Sequence, residues 1–307
     1  MPQGWIVKAL SGYYYVLPEQ SDLKQQRSTV QCRARGVFKK RGISPLVGDQ
    51  VIYELTENGE GTVTEILPRS SELIRPPIAN VKLAVLVFSV TEPALNLQLL
   101  DKFLVHIEHS GLDCVLCFTK YDLLGDSTVK ESALNTELHR IFQLYESIGY
   151  RIVVTSAKQK QGLDDLIGLL TGTISVFSGQ SGVGKSSLLN ALIRDLTLET
   201  NAISQKLGRG KHTTRHVELL PLDGGGFVAD TPGFSQLDFM ELEAEDLGPC
   251  FKEFAELAEG CRFRGCIHLH EPGCKVREAS EEGLIASSRY ESYLTFLNEI
   301  KDRKRRY

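Results

Sequence analysis

Residues Gly179-Gln180-Ser181-Gly182-Val183-Gly184-Lys185-Ser186 fit the pattern Gly-x-x-x-x-Gly-Lys-Ser. Successive backbone N–H groups of such a loop point inward at phosphate oxygens, and a following helix adds the positive end of its dipole. The loop therefore needs a strand that feeds it and a helix that leaves it. Both patterns are present, in Ile174–Ser178 before it and Ser186–Leu196 after it. In that setting Lys185 reaches the outer phosphates of a nucleotide and Ser186 ligates Mg²⁺. Gly179, Gln180, Ser181, Gly182, Val183, Gly184 and Ser187 complete the phosphate-binding set.

The position of the loop is unusual, because more than half of the 307 residues precede it. From residue 81 onward β and α patterns alternate. Val81–Val90, Cys114–Phe118, Arg151–Thr155 and Ile174–Ser178 read as strands, and Leu97–His109, Leu134–Ser147 and Leu163–Leu170 as helices. The alternation predicts a mostly parallel sheet flanked by helices, with Val217–Leu222 and Gly226–Ala229 as further strands.

Three motifs end strands of this sheet. In Thr119-Lys120-Tyr121-Asp122, the Asp122 carboxylate can accept from the N1–H and exocyclic amine of guanine, a donor pair adenine lacks. Lys120 packs its stem along the base, and the Ala157 N–H of Ser156-Ala157-Lys158 meets guanine O6. Asp230-Thr231-Pro232-Gly233 offers Asp230 to Mg²⁺ and the Gly233 N–H to a γ-phosphate. Taken alone, each of these short matches is weak; together, at successive strand ends, they describe a GTP site. The guanine-reading pair ordinarily follows the phosphate loop and here precedes it, so the order is that of a circularly permuted GTPase.

Three positions depart from the usual GTPase pattern. Thr119 stands where Asn is common, which predicts one weakened supporting hydrogen bond. Phe234 stands where many GTPases carry a water-positioning Gln, and a phenyl ring cannot orient water. His212, in Gly208-Arg209-Gly210-Lys211-His212-Thr213-Thr214-Arg215, is the candidate that polarises water instead, with Thr214 closing onto Mg²⁺; the alternative is that His212 caps its loop or contacts RNA. Gly182 replaces the Asn of potassium-activated relatives, so no potassium site is predicted.

The flanks read as separate modules. Residues 1–70 carry short alternating strands, with apolar positions at Trp5, Val7, Tyr13, Tyr15, Leu17, Val30, Cys32, Ala34 and Val37, and predict an oligonucleotide-binding-type (OB) β-barrel. Arg75-Pro76-Pro77 marks a linker, residues 71–238 the GTPase domain, and 239–307 a helical, charged module. That module holds Cys261, Cys266, His268 and Cys274, three thiolates and an imidazole that make a closed tetrahedral set for structural zinc, with His270 as a competing ligand. Cys114 and Cys117 also read Cys-x-x-Cys, but on a strand they point to opposite faces and belong to the core. Arg33, Arg35, Lys39, Lys40 and Arg41, near Phe38 and Tyr13-Tyr14-Tyr15, suit contacts to nucleic acid, as does the tail Lys301, Arg303, Lys304, Arg305 and Arg306. A net charge of −4 confines any such contact to local patches. No run approaches the roughly 18 apolar residues of a membrane span, and the N-terminus is no signal peptide, which together predict a cytoplasmic protein.

In the order Thr119–Asp122, Gly179–Ser187, Gly208–Thr214, Asp230–Gly233 and Cys261–Cys274, these motifs resemble the ribosome small-subunit-dependent GTPase A family over essentially the whole chain. The resemblance implies a monomeric GTPase of late 30S subunit assembly that binds 16S rRNA, turns over GTP slowly alone and is stimulated by the small subunit. It also implies that His212 takes the place of Gln. The competing reading is an RNA-binding assembly scaffold whose GTP is structural and barely hydrolysed.

Overall fold

The computed structural model describes residues 1–19, 28–40, 42–74, 76–124, 129–193, 217–230, 239 and 242–305. Five strands open the chain: β1 (Gln3–Leu10), β2 (Tyr13–Pro18), β3 (Val30–Ala34), β4 (Gln50–Leu55) and β5 (Gly61–Ile66), with a short helix α1 (Gly36–Lys40) between β3 and β4. They pair in the order β1-β2-β3-β5-β4, and β4 returns to β1 to close a barrel without free edges. Alternation drives the closure, because Ile6, Val16, Cys32, Val51 and Val63 all point into one core. Two expectations change here. Val37 lies in α1 and is exposed, whereas Phe38 is buried in the barrel core and cannot stack on a base.

Past Ile66 the linker forms a two-stranded hairpin, β6 (Glu72–Leu73) with β7 (Ile78–Ala79). It is pinned to the barrel by Arg69, whose Nε and Nη2 donate to the two oxygens of the fully buried Asp49 at 2.7 and 2.8 Å. A buried carboxylate is tolerated only when paired in this way. Gly48 allows the close approach: at φ +91°, a Cβ there would lie 2.1 Å from Ala79 O.

The α/β sheet follows: β8 (Val81–Ser89), α2 (Leu97–His109), β9 (Asp113–Thr119), α3 (Val129–Ser147), β10 (Arg151–Val154), α4 (Leu163–Leu170), β11 (Ile174–Ser178), α5 (Lys185–Leu192), β12 (Glu218–Pro221) and β13 (Phe227–Asp230). The order is β10-β9-β8-β11-β13-β12, parallel except at β12. Both faces are covered, which is why the strands read as continuous apolar runs. Cys114 packs into the core on one face and Cys117 into the core on the other. Helix α3 starts five residues before its predicted start. Helix α5 ends at Leu192, because Ile193 turns to extended geometry (φ −111°, ψ 116°) and buries its side chain.

The C-terminal module comprises α6 (Ala244–Leu247), a tight turn at Gly248–Cys250, α7 (Lys252–Ala258), α8 (Lys275–Glu281) and α9 (Ser287–Arg305). Its own core is built from Phe251, Phe254, Tyr293, Phe296 and Leu297. Arg289 bolts it to the sheet domain. Its guanidinium is almost wholly buried, donating to Asp101 of α2 at 2.5 Å and bidentately to Glu253 at 2.6 and 3.0 Å. Among the described residues no helix is long and apolar enough to cross a membrane.

Candidate functional site

The phosphate loop joins β11 to α5, as its sequence requires, and three of its glycines adopt backbone that other residues avoid. Gly179, Gly182 and Gly184 have φ of 144°, 83° and 96°. A Cβ at Gly179 would strike Val87 O at 2.1 Å, so that position tolerates only glycine. Lys185 opens α5 and folds back over the loop, donating to Gly179 O at 2.5 Å and Gln180 O at 2.7 Å. Burial lowers its ammonium from the ordinary lysine value to about 8. The charge that would meet phosphate is thus stored against loop carbonyls. Ser186 is half-buried on the same first turn, and Ser181 and Ser187 are exposed.

The residues that the sequence assigns to guanine stand beside this loop, not apart from it. The Thr119 hydroxyl donates to Val183 O and lies 3.2 Å from Phe88 O, tying the end of β9 to the phosphate loop and to β8. A hydroxyl at this position thus reaches both the phosphate loop and the end of β8. Lys120, in left-handed geometry at φ 63°, extends its Nζ to Gly182 O at 2.8 Å and to Glu92 O. It braces the loop from the end of β9.

Asp122 is oriented by Ser156, whose fully buried hydroxyl donates to Asp122 Oδ1 at 2.6 Å and accepts from Gln159 N at 3.1 Å. One carboxylate oxygen is held and the other can still accept. Ala157 is half-buried next to it, with Lys158 exposed. Tyr121 follows on the same turn, its N–H on Thr155 O at 3.2 Å.

Asp230 ends β13, whose parallel register with β11 sets Val176 opposite Ala229. The aspartate thus stands level with the strand residues that run into the phosphate loop. Ser186 on the first turn of α5 and Asp230 at the end of β13 are residue types with hard oxygen donors, which suit Mg²⁺. His212, Thr214, Gly233 and Phe234 lie outside the described residues.

Sequence spacing located the cysteine cluster, and the structure brings its four members together. The ligand atoms of Cys261, Cys266, His268 and Cys274 all lie within 4.8 Å of one another. Cys261 Sγ is 3.7 Å from His268 Nδ1 and 4.0 Å from Cys274 Sγ, and His268 Nδ1 is 3.3 Å from Cys274 Sγ. Tetrahedral zinc with bonds of about 2.3 Å to sulfur separates two sulfurs by roughly 3.8 Å, so the set fits. His268 is buried and His270 exposed, which decides between the two. The loop is pre-set by its own framework. Glu271 accepts from the N–H groups of Ile267, Leu269 and His270, which holds its carboxyl at about 2. Tyr290 and Tyr293 donate to His268 O and Ile267 O.

The basic surfaces divide. Arg33 and Arg35 are exposed on the barrel, Arg33 lying over the Tyr13 ring at 4.7 Å and Arg35 paired with Glu54. Of the tail, Arg303 is turned inward, donating to Leu242 O at 3.0 Å, so it is a structural residue. A surface that spacing arguments passed over is the tip between two cysteines, Arg262-Phe263-Arg264. All three are exposed, with Arg262 5.4 Å from the Phe263 ring centroid. Basic residues interleaved with an aromatic were the signal that could have found it.

Comparison with known proteins places these features in a family. The model of the RsgA GTPase domain matches residues 66–240, and that of the RsgA N-terminal domain matches residues 3–63. Proteins named "Small ribosomal subunit biogenesis GTPase RsgA" from Bacillus velezensis and Bacillus subtilis are 52% and 50% identical over 307 residues, covering the whole of both chains. The crystal structure of YloQ, titled a circularly permuted GTPase, superposes with a TM-score of 0.82 at 45% identity, covering 100% of this chain and 97% of that one. YjeQ from Thermotoga maritima gives 0.83 at 36% identity, covering 97% and 98%.

Proposed function

Since this chain belongs to the RsgA GTPase family and is a GTP hydrolase, we propose that it acts in late assembly of the 30S ribosomal subunit. There it binds 16S rRNA, as a cytoplasmic monomer, and the small subunit stimulates its turnover. The observation that carries the nucleotide half of this reading is the pair of hydroxyl contacts Ser156–Asp122 and Thr119–Val183. They aim a guanine-selective carboxylate and fix it to the phosphate loop, so base and phosphates are read by one body. Full-length identity to proteins named for small-subunit biogenesis supports the ribosomal half.

In this reading Gly179–Ser187 cradles the phosphates, and Lys185 leaves its carbonyls for the β- and γ-oxygens. Thr119–Asp122 and Ser156–Lys158 hold guanine. Ser186, Asp230 and Thr214 hold Mg²⁺, whose charge offsets that of the phosphates; Gly233 meets the γ-phosphate. His212 orients the attacking water, since Phe234 cannot. Cys261, Cys266, His268 and Cys274 hold one structural zinc, which would lock the Arg262–Arg264 tip in place. That tip and the Arg33–Tyr13 face of the barrel are the RNA contacts, in a chain divided at about residues 70 and 238 into barrel, GTPase and zinc modules.

A checkpoint of this kind binds the subunit in one nucleotide state and leaves it in the other. The test is co-sedimentation with small subunits at fixed magnesium. Retention with a non-hydrolysable GTP analogue and release with GDP is expected. Equal retention in both states would favour the scaffold reading.

A further inference from the structure

Without the barrel, β12 would be the bare edge of the GTPase sheet. Instead β1 pairs with it, and the two modules share one sheet of eleven strands and one continuous apolar cluster. The register at this seam is informative. Lys8 pairs with Glu218 across β1–β12, and Glu218 pairs with Asp230 across β12–β13. A barrel lysine, a carboxylate and the aspartate of the nucleotide site therefore occupy one row across three strands.

Two further features mark this row. Along β1 and β2 the pairing steps from Ile6↔Val16 to Lys8↔Tyr15, so Val7 is an extra residue, a bulge. Bulges bend a strand and re-aim its side chains. This one directly precedes Lys8, whose Nζ donates to Glu218 Oε2 at 2.9 Å. At the other end of the β12–β13 hairpin, where Pro221 pairs with Phe227, Trp5 packs its ring against Phe227 with centroids 5.9 Å apart. The barrel thus holds the hairpin at its first row and its last.

We propose that the β12–β13 hairpin couples the nucleotide site to the barrel, Lys8–Glu218 setting its register and Trp5–Phe227 its adhesion. Each strand of the hairpin is only four residues long, so a pull on Asp230 moves the element as a unit. Its seam with β1 is a single registered pair, which leaves little backbone bonding to break. The Lys8–Glu218 pair is partly exposed, with side chains 34% and 46% accessible. Such a pair adds little to fold stability, so its value lies in position. Linkage then runs both ways: RNA that favours one placement of the barrel changes nucleotide affinity by the same factor as nucleotide changes RNA affinity. The inference rests on the assignment of Asp230 to the nucleotide site.

Trp5 is the only tryptophan of the chain and stands at this seam, so the full-length protein carries its own probe. Tryptophan emission is recorded with saturating Mg²⁺–GDP and then with a non-hydrolysable GTP analogue, occupancy being fixed by titration. The emission is expected to differ between the two complexes. Lys8→Glu and Glu218→Lys each set like charges opposite one another across the strands and are expected to lose the larger part of the difference. The double swap is expected to restore it. Should Glu218→Lys not fold, Lys8→Met removes the charge alone and carries the same expectation. Equal emission from two fully occupied complexes, or single variants that keep the wild-type difference, overturns the proposal. A wild type that binds neither nucleotide removes the site reading and the proposal with it, and the titration separates that failure from a silent tryptophan.

Discussion

Replacing Thr119 with Val tests how the nucleotide site is assembled. The two side chains have nearly the same shape, so the change removes one hydroxyl and little else. That hydroxyl is buried and donates to the carbonyl of Val183, itself fully buried within the phosphate loop. Removing the donor strands the carbonyl away from water, at a cost of about 1–3 kcal/mol. The phosphate loop recovers that cost only by shifting its backbone, and a shifted loop no longer presents its N–H groups to phosphate. If half to all of the cost falls on the bound state, nucleotide affinity drops by about 2- to 150-fold. Titration of a fluorescent GDP analogue reads the affinity, and a thermal melt of the same sample reads the fold. Thr119→Asn supplies an amide donor and is expected to recover most of the loss. A folded Thr119→Val protein that binds nucleotide within twofold of wild type would refute the idea that this hydroxyl holds the loop.

Other expectations follow from the same geometry. Lys185 titrates at about 8 when free, and bound phosphates would restore its charge. Nucleotide binding at pH 8 should therefore take up about half a proton, measured as buffer-dependent binding enthalpy, and affinity should fall as pH rises above 8; no proton uptake between pH 7 and 9 would contradict this. The sign for stability is the opposite. The unfolded chain binds more protons than the nucleotide-free fold between pH 8 and 10.5, so the burial penalty is full below 8 and fades over that window. Asp122→Asn should shift preference from guanine toward xanthine nucleotides, and unchanged GTP selectivity in competition assays would remove Asp122 from base reading. Metal analysis should find about one zinc per chain, and Cys261→Ser should lose it together with the ordered C-terminal module; a metal-free protein with that module folded would count against the cluster.

What the sequence disclosed followed from how local the cause was. The phosphate loop was legible because glycines at 179, 182 and 184 satisfy a backbone demand that no other residue meets. The zinc-type cluster was legible because ligand spacing is itself a geometric constraint, although choosing His268 over His270 needed the fold. The contact of Thr119 was not legible because the partner of its hydroxyl, Val183, lies 64 residues away, and no local pattern shows whether a shorter donor still reaches. Phe38 was placed beside the basic residues as a stacking surface, but barrel closure turns it inward. The tail residue Arg303 likewise read as a nucleic-acid contact, but helix α9 brings it against Leu242 O. The seam between barrel and hairpin was invisible for the same reason, since Lys8 and Glu218 are 210 residues apart. Strand pairing between modules leaves no mark on either strand alone.

The permuted order gains a mechanical sense from this seam. Asp230 closes a hairpin held by the barrel on one side, and nine residues later Phe239 is buried against α2 and α9, its ring stacked on His106 at 5.1 Å and near Phe296 at 5.2 Å. Asp230 is thus tied to the barrel through β12, and Phe239 to the core of the C-terminal module.

The central claim, that the small ribosomal subunit governs hydrolysis at this site, is tested most directly by GTP turnover with and without purified small subunits. Saturating subunits should raise turnover tenfold or more, a lowering of the barrier by about 1.4 kcal/mol or greater. An unchanged rate at saturating subunit would contradict the account and leave a scaffold with a structural nucleotide.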